Sequence, residues 1–274
     1  MAEKKAAEKN AAEKKERQRT EVVEHGNIWF IYRPKVRAED EPEQDVDGIG
    51  DVERFHMVLR PDARSGGAAR FRVMTIGAKR LPDTDKHERN WGFVDLVAKS
   101  AGQVTEVLGE DHYDTKTRGE RVRPAARPAG EGVYVLARTG SKMHLAYALE
   151  LPDKPGPVQK QLNIEPEASF ALSIKNPEKG SPRNTGLDSA EKADYPDKLQ
   201  DEFRDRRFAT EDPRLLDYEG AQFILIGAGS DVKRDLGIDL EPEDETEGTA
   251  DIFKQLRLSK GKHPIEPLLK GEWR

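Results

Sequence analysis

Eight short apolar runs, set out as two series of four, constrain this chain more than any other feature. The first series is Ile28-Trp29-Phe30-Ile31-Tyr32-Arg33, then residues 55–62, 71–76 and 91–97. The second is residues 133–138, 147–153, 170–174 and 222–226. Each run is rich in aromatic and β-branched residues and is set off by polar or Gly/Pro-containing stretches, which is strand chemistry. The matching order across residues 26–97 and 131–227 predicts a duplicated four-strand unit. One such unit alone leaves an apolar face uncovered. The expected fold is therefore α+β and β-rich, with two similar four-stranded halves packed as one sandwich or barrel-like body and few short helices. The strands follow one another as meanders, which argues against a doubly wound parallel sheet.

Around this body the chain divides into four expected parts. Residues 1–24 form a charged low-complexity tail, helical or disordered, whose near-copies Ala6–Asn10 and Ala11–Lys15 lack a large apolar residue. Residues 25–130 carry the first repeat, an acidic loop over 37–51, a hairpin turn at Ser65-Gly66-Gly67, a linker helix and an arginine-rich loop. Ser100 and Gln103 have capping-box spacing, Val104, Val107 and Leu108 form the helix's apolar face, and Gly109 stops it. Residues 131–228 carry the second repeat, with a loop over 175–186 and a helix over 196–208 in which Pro196 takes the first turn. Residues 229–274 form an acidic C-terminal tail with a short helix through Ile252, Phe253 and Leu256, its last segment either docked on the body or free to bind a partner.

Composition excludes several classes. There is no cysteine, hence no disulfide, thiol nucleophile, iron–sulfur cluster or Cys-ligated zinc. No apolar run approaches the roughly 18–20 residues of a membrane span. The N-terminus lacks a signal peptide's apolar stretch, so a soluble cytoplasmic protein without membrane contact is expected. Net charge is −6, and the tail's seven Lys/Arg face six Glu, so no basic field advertises nucleic acid. No cofactor is expected.

The one concentrated cationic stretch lies between the halves. Lys116, Arg118, Arg121, Arg123 and Arg127 stand among Gly119, Pro124 and Pro128, with Glu120 opposing them. Guanidinium forks suit phosphate and carboxylate, so this stretch is the expected anion or partner site. The plainer reading is a linker whose arginines pair with acids of the same chain. Beside it, Asp111, His112 and Asp114 offer an alternative metal set, though no His-Glu-x-x-His or calcium-loop spacing accompanies them. The strand histidines His56 and His144 read as structural. Gly227-Ala228-Gly229 after an apolar strand imitates the start of a dinucleotide motif, but Val232 stands where its third glycine belongs and no second strand follows.

The run from His25 to Val36, Lys79-Arg80-Leu81-Pro82-Asp83, Thr117-Arg118-Gly119-Glu120-Arg121, Pro128-Ala129-Gly130-Glu131-Gly132 and Leu216-Asp217-Tyr218-Glu219-Gly220 together resemble an uncharacterised family of bacterial hypothetical proteins. The resemblance spans residues 25–228. It implies a bacterial, cytoplasmic protein with a folded body and variable ends, and it brings no function. The expected function is a non-enzymatic binding or adaptor protein that uses the arginine loop to hold an acidic protein surface or a phosphate-bearing ligand. The alternatives are a metal-dependent phosphoesterase or nuclease at Asp111, His112 and Asp114, and a nucleic-acid-binding protein whose affinity falls with salt.

Overall fold

The structure, a computed structural model, describes residues 20–42, 45–62, 70–117, 119–180, 187–210 and 212–274. Eight long strands close into one antiparallel barrel. In chain order they are β1 (Thr20–Pro34), β3 (Val52–Pro61), β4 (Phe71–Ile76), β5 (Arg89–Ala98), β8 (Arg127–Thr139), β9 (Lys142–Leu151), β10 (Glu167–Lys175) and β12 (Gln222–Gly229). Each apolar run of the sequence falls in one of them, with only Asp62, Pro152 and Asp153 beyond the strand ends. β1, β3, β4 and β5 form one meander, and β8, β9, β10 and β12 form another. The meanders join first strand to first, where β1 pairs with β8, and last to last, where β5 pairs with β12. Closure leaves neither meander with an unpaired edge, the hazard of an open sheet.

Alternation along each strand sorts the core into two layers. Ile28, Phe30 and Tyr32 of β1 point inward and meet Phe55, Met57, Leu145, Tyr147 and Phe170. Trp29 and Ile31 point outward, yet they are as buried as their neighbours. They lie beneath helix α1 (Ala101–Leu108) and the C-terminal helices α5 (Asp251–Lys254) and α6 (Glu266–Lys270), through Val104, Leu108, Ile252, Leu256 and Leu268. A strand covered on both faces reads as an unbroken apolar run, as Ile28–Tyr32 does. On another wall, helix α4 (Val232–Leu236) covers Val135 and Ala146.

The insertion between β10 and β12 closes one barrel end. Its helix α3 (Asp197–Gln200), strand β11 (Phe208–Ala209) and 3₁₀ turns place Tyr195, Phe203, Leu215 and Leu216 against the interior. Helix α2 (Pro157–Leu162) and the Trp273 ring, 5.1 Å edge-on from Tyr32, close the other. Gly92 of β5 is a close approach: a Cβ there would stand 2.4 Å from the Phe223 ring.

Several expectations need correction. Strand β1 begins at Thr20, so residues 20–24 belong to the barrel and not to the tail. Of the two alternatives left open for the C-terminal segment, docked or free, the structure has it docked on the barrel. The helix expected over 196–208 is only α3 followed by a 3₁₀ turn, because Arg204 and Asp205 adopt positive φ and end it; Pro196 is its N-cap. Ser100 precedes α1 without capping it, and Val107 is exposed. Gly227-Ala228-Gly229 ends an antiparallel strand, in agreement with its reading as a mere imitation of the dinucleotide motif. The turn at 65–67 and residues 1–19 lie outside the described residues. Among those described, no helix is long and apolar enough to cross a membrane.

Candidate functional site at the seam

The linker between the two meanders, residues 99–126, is pinned to the barrel by one buried cation. Arg33 of β1 sends its Nη1 to the carbonyls of Gly109 (3.0 Å) and Pro124, and its Nη2 to that of Val107. Carbonyls at a helix C-terminus lack intrahelical donors and carry the negative end of the macrodipole, which suits a guanidinium. Burial, then the charge of Arg123, pulls Arg33 down to about 10, so it remains protonated at neutral pH. From outside, His263 holds the same linker through Nδ1, 2.6 Å from the carbonyl oxygen of Ala126. That contact makes Nδ1 the donor and leaves Nε2 as the acceptor. Burial lowers the pKa of His263, which favours this neutral ring.

Between linker and C-terminal segment runs a groove of about 820 Å³. One wall is Gly102, Thr105, Glu106, Gly109, Glu110 and Ala125; the other is Arg257, Ser259, Lys262 and His263. A second cavity of about 440 Å³ adjoins it and adds Lys260, Glu266 and Arg274. Sites for small molecules fall in this size range. The two walls carry opposite charge. Lys260 pairs with Glu247 at 2.9 Å, Arg274 with Glu266 at 3.0 Å, and Glu110 with His112 at 3.0 Å. Among the described residues, the side chains of Arg257 and Lys262 have neither a hydrogen bond nor an ion pair.

The cationic stretch expected from sequence is not a loop. Strands β6 (Asp111–Thr115) and β7 (Gly119–Arg123) form a hairpin, and β2 (Arg37–Ala38) adds a third strand. Lys116 is exposed in its turn, and Arg118 lies outside the described residues. Arg121 and Arg123 share one face of β7, but both have partners. Arg121 donates to the Val36 carbonyl at 3.3 Å, and Arg123 binds Asp111 at 2.9 Å and lies 5.1 Å over the Tyr113 ring. Arg127 opens β8, is buried opposite Tyr32, and lines a separate cavity of about 160 Å³ with Lys35, Arg37, Glu41, Asp45 and Asp51. The fold therefore does not gather these cations. The alternative metal set fails through strand alternation: Asp111 shares a face with Arg123, whereas His112 and Asp114 point from the other. No group of three or more metal-ligating side chains is found among the described residues.

The stretch that does line the groove carries a weaker signal in the sequence. Arg257, Lys260, Lys262 and His263 fall within seven residues that contain no acid, with Gly261 among them. The acidic run just before them masks this signal in any wide count of charge.

Comparison of the chain with protein-family models, with curated proteins and with solved structures finds no match, so the groove's role rests on its own chemistry.

Proposed function

We propose that this protein is a non-enzymatic binding or adaptor protein that holds an anionic group, a phosphate or a cluster of carboxylates, in the seam groove. The observation that carries this reading is Arg257 and Lys262, two cations without partners among the described residues, on the wall of a cavity of about 820 Å³. A charge held in reserve on a concave surface is what an incoming anion neutralises. Ser259 adds a hydroxyl that can donate to the anion beside them. This reading keeps the acidic or phosphate-bearing partner expected from sequence and moves its site from the arginine hairpin to the C-terminal wall. The phosphoesterase or nuclease reading loses its motive, since Asp111 faces away from His112 and Asp114. We further infer that the two meanders are copies of one unit and that the protein is bacterial and cytoplasmic. The first-to-first, last-to-last pairing supports the duplication. Failure of residues 28–97 and 133–226 to superpose strand on strand would end that inference.

Calorimetric titration at low salt with inorganic pyrophosphate and with a short poly-glutamate peptide tests the binding reading. Arg257→Ala/Lys262→Ala should weaken whichever probe binds by tenfold or more, and Arg121→Ala/Arg123→Ala should leave it unchanged. Binding should weaken with added salt. Absence of binding to either probe, or equal binding by the groove variant, would falsify the proposal.

A further inference from the structure

The segment that supplies the groove's cationic wall packs on the barrel through Ile252 and Leu256, and its polar anchor there is a pair of acids. Glu131 of β8 is 0% exposed and points outward beneath α5. Its Oε2 accepts from the indole Nε1 of Trp29 (3.2 Å) and from the backbone N–H of Ile252 (2.7 Å), and its Oε1 accepts from the N–H of Asp251 (3.0 Å). The same Asp251 N–H also lies 3.2 Å from Oε2 of Glu245. Two carboxyl groups thus converge on one amide. Two carboxylates that share a site cannot both be charged cheaply, so the pair favours holding a proton.

The charged surroundings give no substitute for that proton. On β9, Glu150 accepts from the N–H of Glu243 at 2.8 Å. On α5, Asp251 accepts from Asn27 at 2.8 Å. The cations that act here, Lys254 and Arg60, act on Asp251. Glu131 is correspondingly pushed up to about 9, by burial first and Glu245 second. Glu150 is pushed up to about 7, again by burial first.

We propose that the Glu131–Glu245 carboxyl pair is a proton-operated latch. While it shares one proton it docks α5 on the barrel; when that proton passes to solvent, two facing carboxylates repel and residues 241–258 lift away. The proton belongs to the pair and not to either residue. Because Arg257 follows directly, opening the latch displaces the groove's cationic wall. That last consequence alone rests on the binding reading above.

Hydrogen–deuterium exchange of the full chain, corrected for intrinsic rates at pH 6, 7.5, 9 and 10, reads the latch without any ligand. Protection of a peptide over 251–258 should fall at least tenfold from pH 6 to pH 10, while one over 28–31 stays protected. Glu131→Gln keeps an acceptor and cannot ionise, so its protection should be flat with pH. Glu245→Gln, which lies nearer the surface and donates N–H to an ionised Glu131, should be flat as well, and it decides the matter if Glu131→Gln does not fold. Wild-type protection that ignores pH, or variants that keep the wild-type dependence, overturns the latch. Pyrophosphate titration at pH 6 and 9.5 bears on the groove separately. A latch that opens with no binding at either pH sinks the binding reading alone.

Discussion

Two glutamates on neighbouring strands are buried almost equally and are held by opposite means. Glu24 of β1 lies within the barrel end closed by the insertion. Arg72 of β4 grips it with both terminal nitrogens, at 2.6 and 2.9 Å, and Tyr134 donates to it at 2.7 Å. Asp217 takes the Nε of the same guanidinium at 2.8 Å. The two carboxylates raise the pKa of Arg72 against the opposing effect of burial. Glu131 of β8 lies on the outer face and meets a second carboxyl where Glu24 meets a cation. Burial sets a similar cost for each charge, and the partner decides how it is met: by a guanidinium inside the barrel, by a proton outside it. The second arrangement is lost as pH rises toward about 9.

The largest effect should come from removing the guanidinium. Arg72→Met leaves Glu24 and Asp217 facing each other without a cation, and breaking a buried pair from one side costs about 3–5 kcal/mol. Urea unfolding at pH 7 measures it. Adding Glu24→Gln to Arg72→Met should recover part of the loss, because it removes one of the stranded charges. A single-variant loss below about 1 kcal/mol would erase the distinction between the two glutamates.

The next effect is the pH dependence of stability. Glu131 and Glu150 bind protons more tightly folded than unfolded, since their folded values of about 9 and about 7 lie above the usual 4.5. Their contribution is complete below about pH 4.5 and is lost as pH rises through 7 and then 9. The wild-type melting temperature should therefore decline from pH 6 to pH 9.5, and Glu131→Gln should decline less. Arg72→Met should shift the whole curve downward without flattening this alkaline limb. Parallel declines in wild type and Glu131→Gln would show that Glu131 holds no proton of consequence.

The same contrast explains what could be read before the fold was seen. Strands announce themselves locally, and β1 does so most strongly because both of its faces are covered. Closure depends on pairings such as Tyr32 with Arg127 and Phe93 with Gln222, far apart in sequence, so residue patterns left sandwich and barrel equally open. Arg72 inside a strand and Glu131 between two glycines look like ordinary surface residues, since nothing local tells which face of a strand is dry. The C-terminal segment read as a tail because α5 and α6 are four and five residues long, and each contributes only one or two apolar side chains to the barrel's outer wall. The cationic stretch at 116–127 is visible in the sequence, but the pairing of its arginines is not. Charge density along a sequence does not show whether strand pairing will set acids beside the arginines, and here Asp111 falls opposite Arg123.

Arg123 provides the smallest expected effect and the boundary of the comparison. Its ion pair with Asp111 is roughly half exposed on both sides, with side-chain accessibilities of 41% and 53%. Exposed pairs of this kind contribute about 0–1 kcal/mol, and its stacking on Tyr113 adds about 0.5 kcal/mol at such a site. A third contribution has the opposite sign: Arg123 stands close enough to Arg33 to lower its pKa. Arg123→Ala therefore removes two weak attractions and one repulsion, and the stability measured by urea unfolding should change by less than about 1 kcal/mol. The residual effect should shrink further in high salt, which screens the pair with Asp111 more than it touches the buried bonds of Arg33. A loss comparable to that of Arg72→Met would mean that the hairpin, and not the barrel interior, carries the structurally decisive arginine.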